Sequence, residues 1–343
     1  MTPDTLPAAL VPPLAAAGLA WSRGDGPARF ACAARPGLAF GSDTLWRAAS
    51  LSKMVTAASL QAIGGPAIWE RPAAEVLDRP LRHPSGICPT LGQIASHTAS
   101  LTDAAGYALA PGDRLADWLD RAGDRIWHPD MPGTRLAYAN FGSLLLAAAA
   151  ERLSGLSLDR LARERVLDPL GVEGGFAWSG LSAARRRDRM PALRPAADGF
   201  VAAADGAVPP CGLALADGTP LAPAPPGVNP SPLGPQGGLR LSLRGALRLA
   251  QTLAAATPSG WTRPARAEPP VVAAAPGLLR LEAPEDHPRP LTGHWADAYG
   301  IRAGAWTDGT GLAFAYVLNG CPETEEDGLS PPERAILRAV AAL

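Results

Sequence analysis

The sequence contains a single lysine, Lys53, although it carries 31 basic residues, so every other basic side chain is an arginine. Arginine forms the better forked salt bridges with carboxylates and serves wherever only a positive charge is needed. Lysine differs because a pocket can lower its pKa until it acts as a base near neutral pH, whereas a guanidinium stays charged. The one lysine therefore marks a position where we expect proton transfer.

Cysteines, long apolar runs and excess charge are also scarce. Cys32, Cys88, Cys211 and Cys321 show neither C-x-x-C pairing nor histidines at zinc-finger spacing, which argues against a metal centre and predicts free thiols. A formal net charge of −1 offers no basic surface for nucleic acid. No stretch reaches the roughly 20 uninterrupted apolar residues of a membrane span, and no basic region precedes the apolar N-terminal run. We expect a soluble, cytoplasmic protein without metal, cofactor, nucleic acid or membrane span.

The order of the patterns along 343 residues predicts one sheet assembled from both ends of the chain. Short apolar segments from Leu14 to Phe40 predict strands, and a stretch rich in alanine and leucine from Leu45 to Ile63 predicts a helix with Ser50 near its start. Further helices are predicted from Thr90, over Leu115–Ala122, Phe141–Leu153, Ser157–Leu167 and Ser242–Ala256, and over Pro331–Leu343 at the end. Strands are predicted over Gly293–Tyr299, Ile301–Thr307 and Leu312–Leu318. Between Gly171 and Gly234 the chain loosens into alanine, proline and glycine, where Trp178, Phe200 and Leu213 indicate ordered loops with short strands.

These elements predict two interleaved subdomains. Residues 1–62 and 235–343 form the α/β sheet subdomain, and residues 63–234 form a mainly helical subdomain with loops rich in proline, alanine and glycine. The active site is expected in the cleft between them.

Ser50 stands three residues before Lys53, in the tetrad Ser50-Leu51-Ser52-Lys53. Three residues apart on a helix, the two side chains share one face, and a serine beside a base is an activated nucleophile. This short pattern also arises by chance, as a polar helix turn.

Two further patterns make chance a poor explanation. Tyr138-Ala139-Asn140 lies at a junction between a loop and a helix, in a chain with only four tyrosines and three asparagines. The C-terminal group of predicted strands begins with Gly293-His294. A nucleophile, two polar side chains at a helix start and a strand motif together indicate one catalytic site.

The order S-x-x-K, Y-x-N and a third motif on a C-terminal strand resembles the serine β-lactamase and penicillin-binding-protein superfamily. Within this superfamily, the sequence resembles the branch of class C β-lactamases, D-aminopeptidases and family VIII esterases. The similar segments are Thr44–Lys53, Thr90–Asp103, Pro132–Asn140, Glu151–Gly155, Asp168–Gly171 and Gly237-Gly238. The resemblance implies a β-lactamase-like fold of the α/β (α+β) class, with an antiparallel sheet built from both termini and flanked by helices.

The resemblance also implies roles for four residues. Ser50 matches the acylated nucleophile, and Lys53 matches its base or proton conduit. Tyr138 matches the tyrosine that exchanges protons with the nucleophile and the leaving group, and Asn140 matches the residue that orients the substrate and the lysine. A phenol becomes a useful base only beside a cation, so Lys53 and Tyr138 are expected to act as a coupled pair.

The third motif departs from the K-T-G or H-T-G of the branch. Here the matching run is His294-Trp295-Ala296-Asp297, which lacks the lysine and threonine that would hold a substrate carboxylate. Trp295 is expected to crowd or line the cleft. The backbone N–H groups of Ser50 and Asp297 remain candidates for an oxyanion hole, since main-chain donors do not depend on side chains.

Three functions follow as expectations. A serine hydrolase acting on a small ester or amide with a hydrophobic acyl or leaving group is favoured over an efficient β-lactamase. An acyltransferase of the same fold and a binding protein that has lost turnover are the alternatives. The histidines at 83, 97, 128 and 287 are interpreted as structural, and Asp103, Asp130 and Asp297 suggest no triad. The sequence leaves the substrate and the oligomeric state open.

Overall fold

A seven-stranded antiparallel sheet organises the protein in its computed structural model. The structure describes residues 1–107, 113–176, 181–182, 184–185, 188–202, 234–256, 261–267, 270–322 and 328–343. Its strands are β1 (Ala16–Arg23), β2 (Arg29–Ala34), β3 (Trp46–Arg47), β4 (Leu193–Ala196), β5 (Gly199–Ala202), β6 (Arg240–Leu241), β7 (Val271–Ala275), β8 (Leu278–Leu281), β9 (Leu291–Ala298), β10 (Ile301–Thr307) and β11 (Leu312–Asn319). The large sheet has the order β2-β1-β11-β10-β9-β8-β7, and two small pairs, β3-β6 and β4-β5, lie outside it.

The helices cover both faces of this sheet and form a layer beside it. They are α1 (Leu6–Leu10), α2 (Ser52–Gly64), α3 (Ala73–Leu77), α4 (Leu91–Ala95), α5 (Leu115–Ala122), α6 (Phe141–Ser154), α7 (Leu158–Ala162), α8 (Gly234–Gly237), α9 (Leu243–Leu249) and α10 (Pro331–Ala341). Single turns of other helix types lie at Ala49–Leu51, Pro66–Glu70, Gly123–Ile126, Arg163–Leu167 and Ala250–Ala254.

Strand β11 shows why the sheet is buried on both faces. Its eight residues are all buried, and successive side chains alternate between two apolar clusters. Ala313, Ala315 and Val317 join the cluster that contains residues of α2 and α9, while Phe314 and Tyr316 join the cluster that contains residues of α10. This alternation is the period of two that a strand imposes. A third cluster, around α6, forms the core of the helical layer.

The large sheet combines β1 and β2 from the N-terminal part of the chain with β7 to β11 from the C-terminal part. This confirms the predicted α/β (α+β) class, with an antiparallel sheet built from both termini. Helices α5 and α6 begin and end within a residue of the predicted bounds. Thr90 caps α4 through a reciprocal pair of hydrogen bonds with Gln93, and the Ser157 hydroxyl accepts the Arg160 N–H at the start of α7. These local caps mark where the two helices begin.

The helix predicted from Leu45 begins later, at Ser52. Trp46 and Arg47 instead form a short strand paired with β6, more than 190 residues away. Ala49 then adopts a φ of 44°, which an α-helix does not accommodate. Ser50 therefore lies in the single turn Ala49–Leu51 just before α2 rather than inside the helix.

Strands β7 and β8 were not predicted from the sequence of their stretch. Its signal is an apolar run interrupted by Pro276-Gly277, a turn dipeptide. Gly277 has a φ of 70°, and a Cβ there would lie 2.6 Å from the Ala57 Cβ and 3.0 Å from the Lys53 carbonyl oxygen. A glycine is required at this turn because it packs directly on α2, the helix that carries Lys53.

Two sequence predictions concern regions that the structure tests only in part. Strands β4 and β5 confirm short strands near Phe200, whereas Trp178 and Leu213 lie outside the described residues. No single helix of the described residues is long and apolar enough to cross a membrane, and α6 with Leu158–Leu167 passes only as a pair bent by 80°. The subdomain boundaries near residues 62 and 235 stay a prediction.

Candidate active site

Ser50 and Lys53 meet at the junction between the turn Ala49–Leu51 and the first turn of α2. The Lys53 Nζ donates a hydrogen bond to the Ser50 Oγ over 2.9 Å. Lys53 is 3% exposed, while Ser50 is half-buried and so retains access from outside. The backbone before the serine carries the left-handed Ala49, and strained residues of this kind cluster at functional sites.

The Lys53 amine is held by three oxygen acceptors. Besides the Ser50 Oγ, its Nζ donates to the Asn140 Oδ1 over 2.8 Å and to the Gln236 carbonyl oxygen over 3.0 Å. Three acceptors match the three N–H bonds of an ammonium. Burial nevertheless lowers the pKa of Lys53 to about 7, against the opposing charge of Asp103. Near neutral pH, a substantial share of the lysine is therefore an uncharged amine.

The segment that contributes the Gln236 carbonyl is anchored to the same elements. The Arg47 Nε donates to the Gly237 carbonyl oxygen over 3.0 Å, and the Thr56 hydroxyl donates to the Pro235 carbonyl oxygen over 3.1 Å. The Ser52 Oγ accepts the Leu239 N–H over 3.0 Å. Helix α8 is thus fixed against β3 and α2, which keeps its carbonyl on Lys53.

Asp103 orients Asn140, and its importance is not visible in the sequence. One carboxylate oxygen of Asp103 accepts the backbone N–H of Asn140 over 3.0 Å and the Asn140 Nδ2 over 2.9 Å. The other accepts the Phe141 N–H over 2.9 Å, at the start of α6. Because the Asn140 amide nitrogen faces this carboxylate, its oxygen faces Lys53.

Tyr138 lies beside Lys53, with the Lys53 Nζ 4.8 Å from the centre of its ring. Its hydroxyl is buried and has no hydrogen-bond partner among the described residues. Burial raises the pKa of Tyr138 well above its usual range. The nearby Ser50 side chain opposes this rise only in part, and the Ser50 and Tyr138 hydroxyls do not meet the geometry of a hydrogen bond. The phenol is thus neutral, whereas a phenol made more acidic by the neighbouring cation was expected from the sequence. A neutral phenol is a proton donor.

His294 is the only histidine of the third motif, and it is fully buried on β9. Its Nδ1 lies 2.6 Å from the Trp295 carbonyl oxygen, which can only accept, so Nδ1 carries the proton. Its Nε2 has no hydrogen-bond partner among the described residues. Burial, with the charge of Lys53 second, lowers the pKa of His294 to about 3. His294 therefore contributes no cation at the position where the K-T-G form of the motif has lysine.

Trp295 does not line the cleft as expected. Alternation along β9 places His294 and Ala296 on one face of the sheet and Trp295 on the other, where it packs against the cluster that contains residues of α10. Ala296 is buried in the cluster that includes Ala49 and Leu51. The expectation for Trp295 was wrong because neighbouring residues of a strand lie on opposite faces of the sheet. The motif alone does not show which of its residues face Ser50.

Asp297 also has its side chain away from the nucleophile, where its carboxylate lies 2.6 Å from the Arg302 guanidinium. Strand β8 pairs with β9 only at Leu291–Gly293. Strand β9 also contacts the turn Ala49–Leu51, and Ala296 shares an apolar cluster with Ala49 and Leu51. Its backbone is thereby brought next to Ser50.

His97, which was interpreted as structural, lies against Tyr138. Its ring is stacked on that of Tyr138, with centres 4.3 Å apart and an angle of 26° between the planes. Burial and then the charge of Lys53 lower the pKa of His97 well below its usual range. The described residues contain no cluster of three or more His, Cys, Asp or Glu that could hold a metal ion.

The buried lysine predicts a pH dependence of stability. Folding lowers the pKa of Lys53 from 10.5 to about 7, so between these values the unfolded chain binds more protons and the free energy of unfolding rises with pH. Below pH 7 the full cost of burying the ammonium is present, and above pH 10.5 it is absent. We expect the wild type to gain about 2–3 kcal/mol relative to Lys53→Met between pH 7 and pH 9. Urea unfolding at both pH values measures this, and equal changes in the two proteins would contradict it.

An antiparallel sheet with helices on both faces, and a Ser-x-x-Lys turn against one of its strands, define a serine β-lactamase-like protein. The family model described as Beta-lactamase matches residues 17–338, and the chain belongs to this family. The comparison with curated proteins gave no match.

Several solved structures share the fold. D-amino acid amidase from Ochrobactrum anthropi SV3, complexed with L-phenylalanine amide, has a TM-score of 0.75 at 16% identity, covering 99% of this chain and 97% of that one. The octameric penicillin-binding protein homologue from Pyrococcus abyssi has a TM-score of 0.69 at 17% identity, covering 98% and 76%. A D-stereospecific amidohydrolase from Streptomyces sp. has a TM-score of 0.60 at 16% identity, covering 92% of each chain.

Proposed function

We propose that this protein is a serine hydrolase that forms an acyl-enzyme at Ser50. The observation that carries the proposal is the 2.9 Å hydrogen bond between the Lys53 Nζ and the Ser50 Oγ, made by a lysine whose pKa is about 7. A nucleophile within hydrogen-bond reach of a base with a pKa near the working pH is the arrangement that acyl transfer requires.

The site residues divide the proton transfers between them. Neutral Lys53 takes the Ser50 proton as the serine oxygen forms a bond to the substrate carbonyl carbon. The backbone N–H groups of Ser50 and Asp297 stabilise the oxyanion. When the carbonyl–leaving group bond breaks, the Tyr138 phenol donates its proton to the leaving group and is reprotonated by Lys53. Water then attacks the acyl-enzyme by the reverse sequence and regenerates Ser50.

The site favours esters and amides that carry no carboxylate beside the scissile bond. A neutral His294 cannot replace the charge-assisted contact that a lysine would make with such a carboxylate. Structures with the same fold include amide-cleaving enzymes, which supports an amide or a related ester as substrate. In this proposal Ser50 and His294 belong to the sheet subdomain, Tyr138 and Asn140 to the helical one, and the substrate binds between them.

The test combines labelling with a substrate panel. A fluorophosphonate probe followed by intact mass measurement is expected to show one adduct on the folded protein. On the panel, p-nitrophenyl esters and D- or L-aminoacyl anilides are expected to exceed nitrocefin, with its carboxylate, by about 10- to 100-fold in kcat/KM, the value of one charged hydrogen bond. Added alcohols or amines separate hydrolysis from acyl transfer. Absence of any adduct would overturn the proposal, and faster nitrocefin turnover would overturn the substrate class.

A further inference from the structure

His97 holds Tyr138 by its backbone as well as by its ring. The His97 carbonyl oxygen accepts the Ala137 N–H over 2.8 Å, and the His97 Nδ1 accepts the Ala139 N–H over 3.3 Å. These two bonds lie immediately before and after Tyr138 in the chain. Together with the stacking of the His97 ring on Tyr138 at 4.3 Å, they connect one buried histidine to the segment Ala137–Ala139 at three points.

The conformation of His97 is itself unusual. Its φ is 56°, in the left-handed region that residues other than glycine, asparagine and aspartate seldom adopt. Because a backbone N–H can only donate, Nδ1 is the acceptor and the proton of the neutral ring is on Nε2. His97 directly follows the C-cap of α4, where its N–H donates to the Ile94 carbonyl oxygen over 3.3 Å and the Thr98 N–H donates to the Gln93 carbonyl oxygen over 2.8 Å. This pattern of bonds at the helix end accounts for the left-handed conformation, and it presents the His97 ring and carbonyl to the Tyr138 segment.

The position of the Tyr138 hydroxyl depends on packing. No hydrogen bond from a described residue holds this hydroxyl, although it is buried next to the nucleophile. The ring is instead located by its neighbours, with His97 stacked on it and the Lys53 Nζ 4.8 Å from its centre. His294 lies further away, with its ring centre at 6.1 Å. The closest of these ring contacts is the one with His97.

We propose that His97 is a positioning residue that holds the Tyr138 phenol where it exchanges a proton during acyl transfer at Ser50. This inference rests on the proposed function, because that function assigns the proton to Tyr138. His97 acts through Tyr138 and does not touch the reacting atoms.

The decisive variant is His97→Asn. Asparagine tolerates the left-handed conformation, and its Oδ1 can accept the Ala139 N–H, so this change removes the stacked ring and keeps the backbone arrangement. We expect the acylation rate constant per labelled site to fall about 10- to 100-fold with little change in KM, because small misplacement of a reacting group costs this much. An unchanged rate constant would overturn the proposal.

A double-mutant cycle with Tyr138→Phe separates positioning from a general structural role. If His97 acts through the phenol, then His97→Asn has little further effect once the hydroxyl is gone, and the two losses are strongly non-additive. Additive losses would overturn the proposal. They would show that His97 affects catalysis by a route that does not involve the phenol.

His83→Asn is the matched control. His83 is also buried, packs edge-on against Trp127 with ring centres 5.5 Å apart, and bonds to the His128 carbonyl oxygen, away from the site residues. We expect it to lower stability without changing the acylation rate constant per labelled site. A comparable loss of the rate constant in this variant would show that any buried histidine of this layer has the same effect, and it would overturn a specific role for His97.

A structural measurement keeps the inference separate from the proposed function. If wild-type protein carries no fluorophosphonate adduct, the proposed function fails, and crystal structures of the wild type and His97→Asn still test the positioning. We expect the Tyr138 ring to shift or to become disordered in the variant. An unmoved ring in the variant would overturn the positioning role whatever the labelling shows.

Discussion

Replacement of Lys53 by arginine is expected to slow acylation of Ser50 by about 10³-fold, within the range that a general base contributes. The guanidinium cannot release its proton near neutral pH, whereas burial brings the pKa of Lys53 to about 7. In a chain whose other cations are all arginine, this change keeps a basic side chain at the site and removes its ability to release a proton near neutral pH.

Rapid-mixing kinetics of fluorophosphonate labelling or of a p-nitrophenyl ester burst measure this effect. The wild-type rate constant is expected to rise with pH through about 7, as Lys53 loses its proton, and this inflection is expected to vanish in Lys53→Arg. Arg160→Lys, at an exposed ion pair with Glu164, is the matched reverse exchange and is expected to change nothing. A Lys53→Arg protein that keeps both the rate constant and the inflection would contradict the assigned base.

Ser50→Ala is expected to remove the covalent adduct completely and to lower turnover by at least about 10⁴-fold. Without the hydroxyl there is no atom to carry the acyl group, and what remains is catalysis by binding and the oxyanion donors alone. Intact mass measurement reports the adduct, and the ester assay reports the turnover.

Ser52→Ala is the control for this experiment, two residues further along the chain. Ser52 is fully buried, and its Oγ accepts the Leu239 N–H, so its loss leaves one donor unpaired and costs about 1–3 kcal/mol of stability. We expect this variant to unfold earlier but still to carry the adduct on Ser50. Labelling that persisted in Ser50→Ala and disappeared in Ser52→Ala would show that Ser52, and not Ser50, is the nucleophile.

The parts of the site that the sequence predicts are those with a local signal. Ser50 and Lys53 are recognisable because three residues on or near a helix bring their side chains together, and the uniqueness of the lysine draws attention to them. Tyr138 and Asn140 follow from their order in the chain and their place before a helix. The structure brings Asn140 to Lys53 and Tyr138 beside it, while their catalytic roles stay predictions.

The parts that the sequence does not predict depend on distant pairing. Asp103 meets Asn140 across 37 positions, and nothing in either residue's neighbourhood indicates the contact. Trp295 was assigned to the wrong face because only the register of β9 with β10 determines which residues of the motif face inward. The helix start at Ser52 likewise depends on a strand pair between Trp46 and Leu241. A single sequence contains no record of such long-range partners.

The arrangement of the large sheet also affects how the protein acquires its activity during synthesis. Strand β1 lies between β2 and β11, so Ala16 pairs with Asn319 as well as with Ala34. Closing so large a loop costs entropy before any contact repays it, and folds dominated by such pairings form slowly. Ser50 leaves the ribosome well before β9 and β11, which follow it in the chain. A partly made chain therefore carries Ser50 and Lys53 without β9 beside them, and under the proposed function we expect reactivity to begin only when β9 docks.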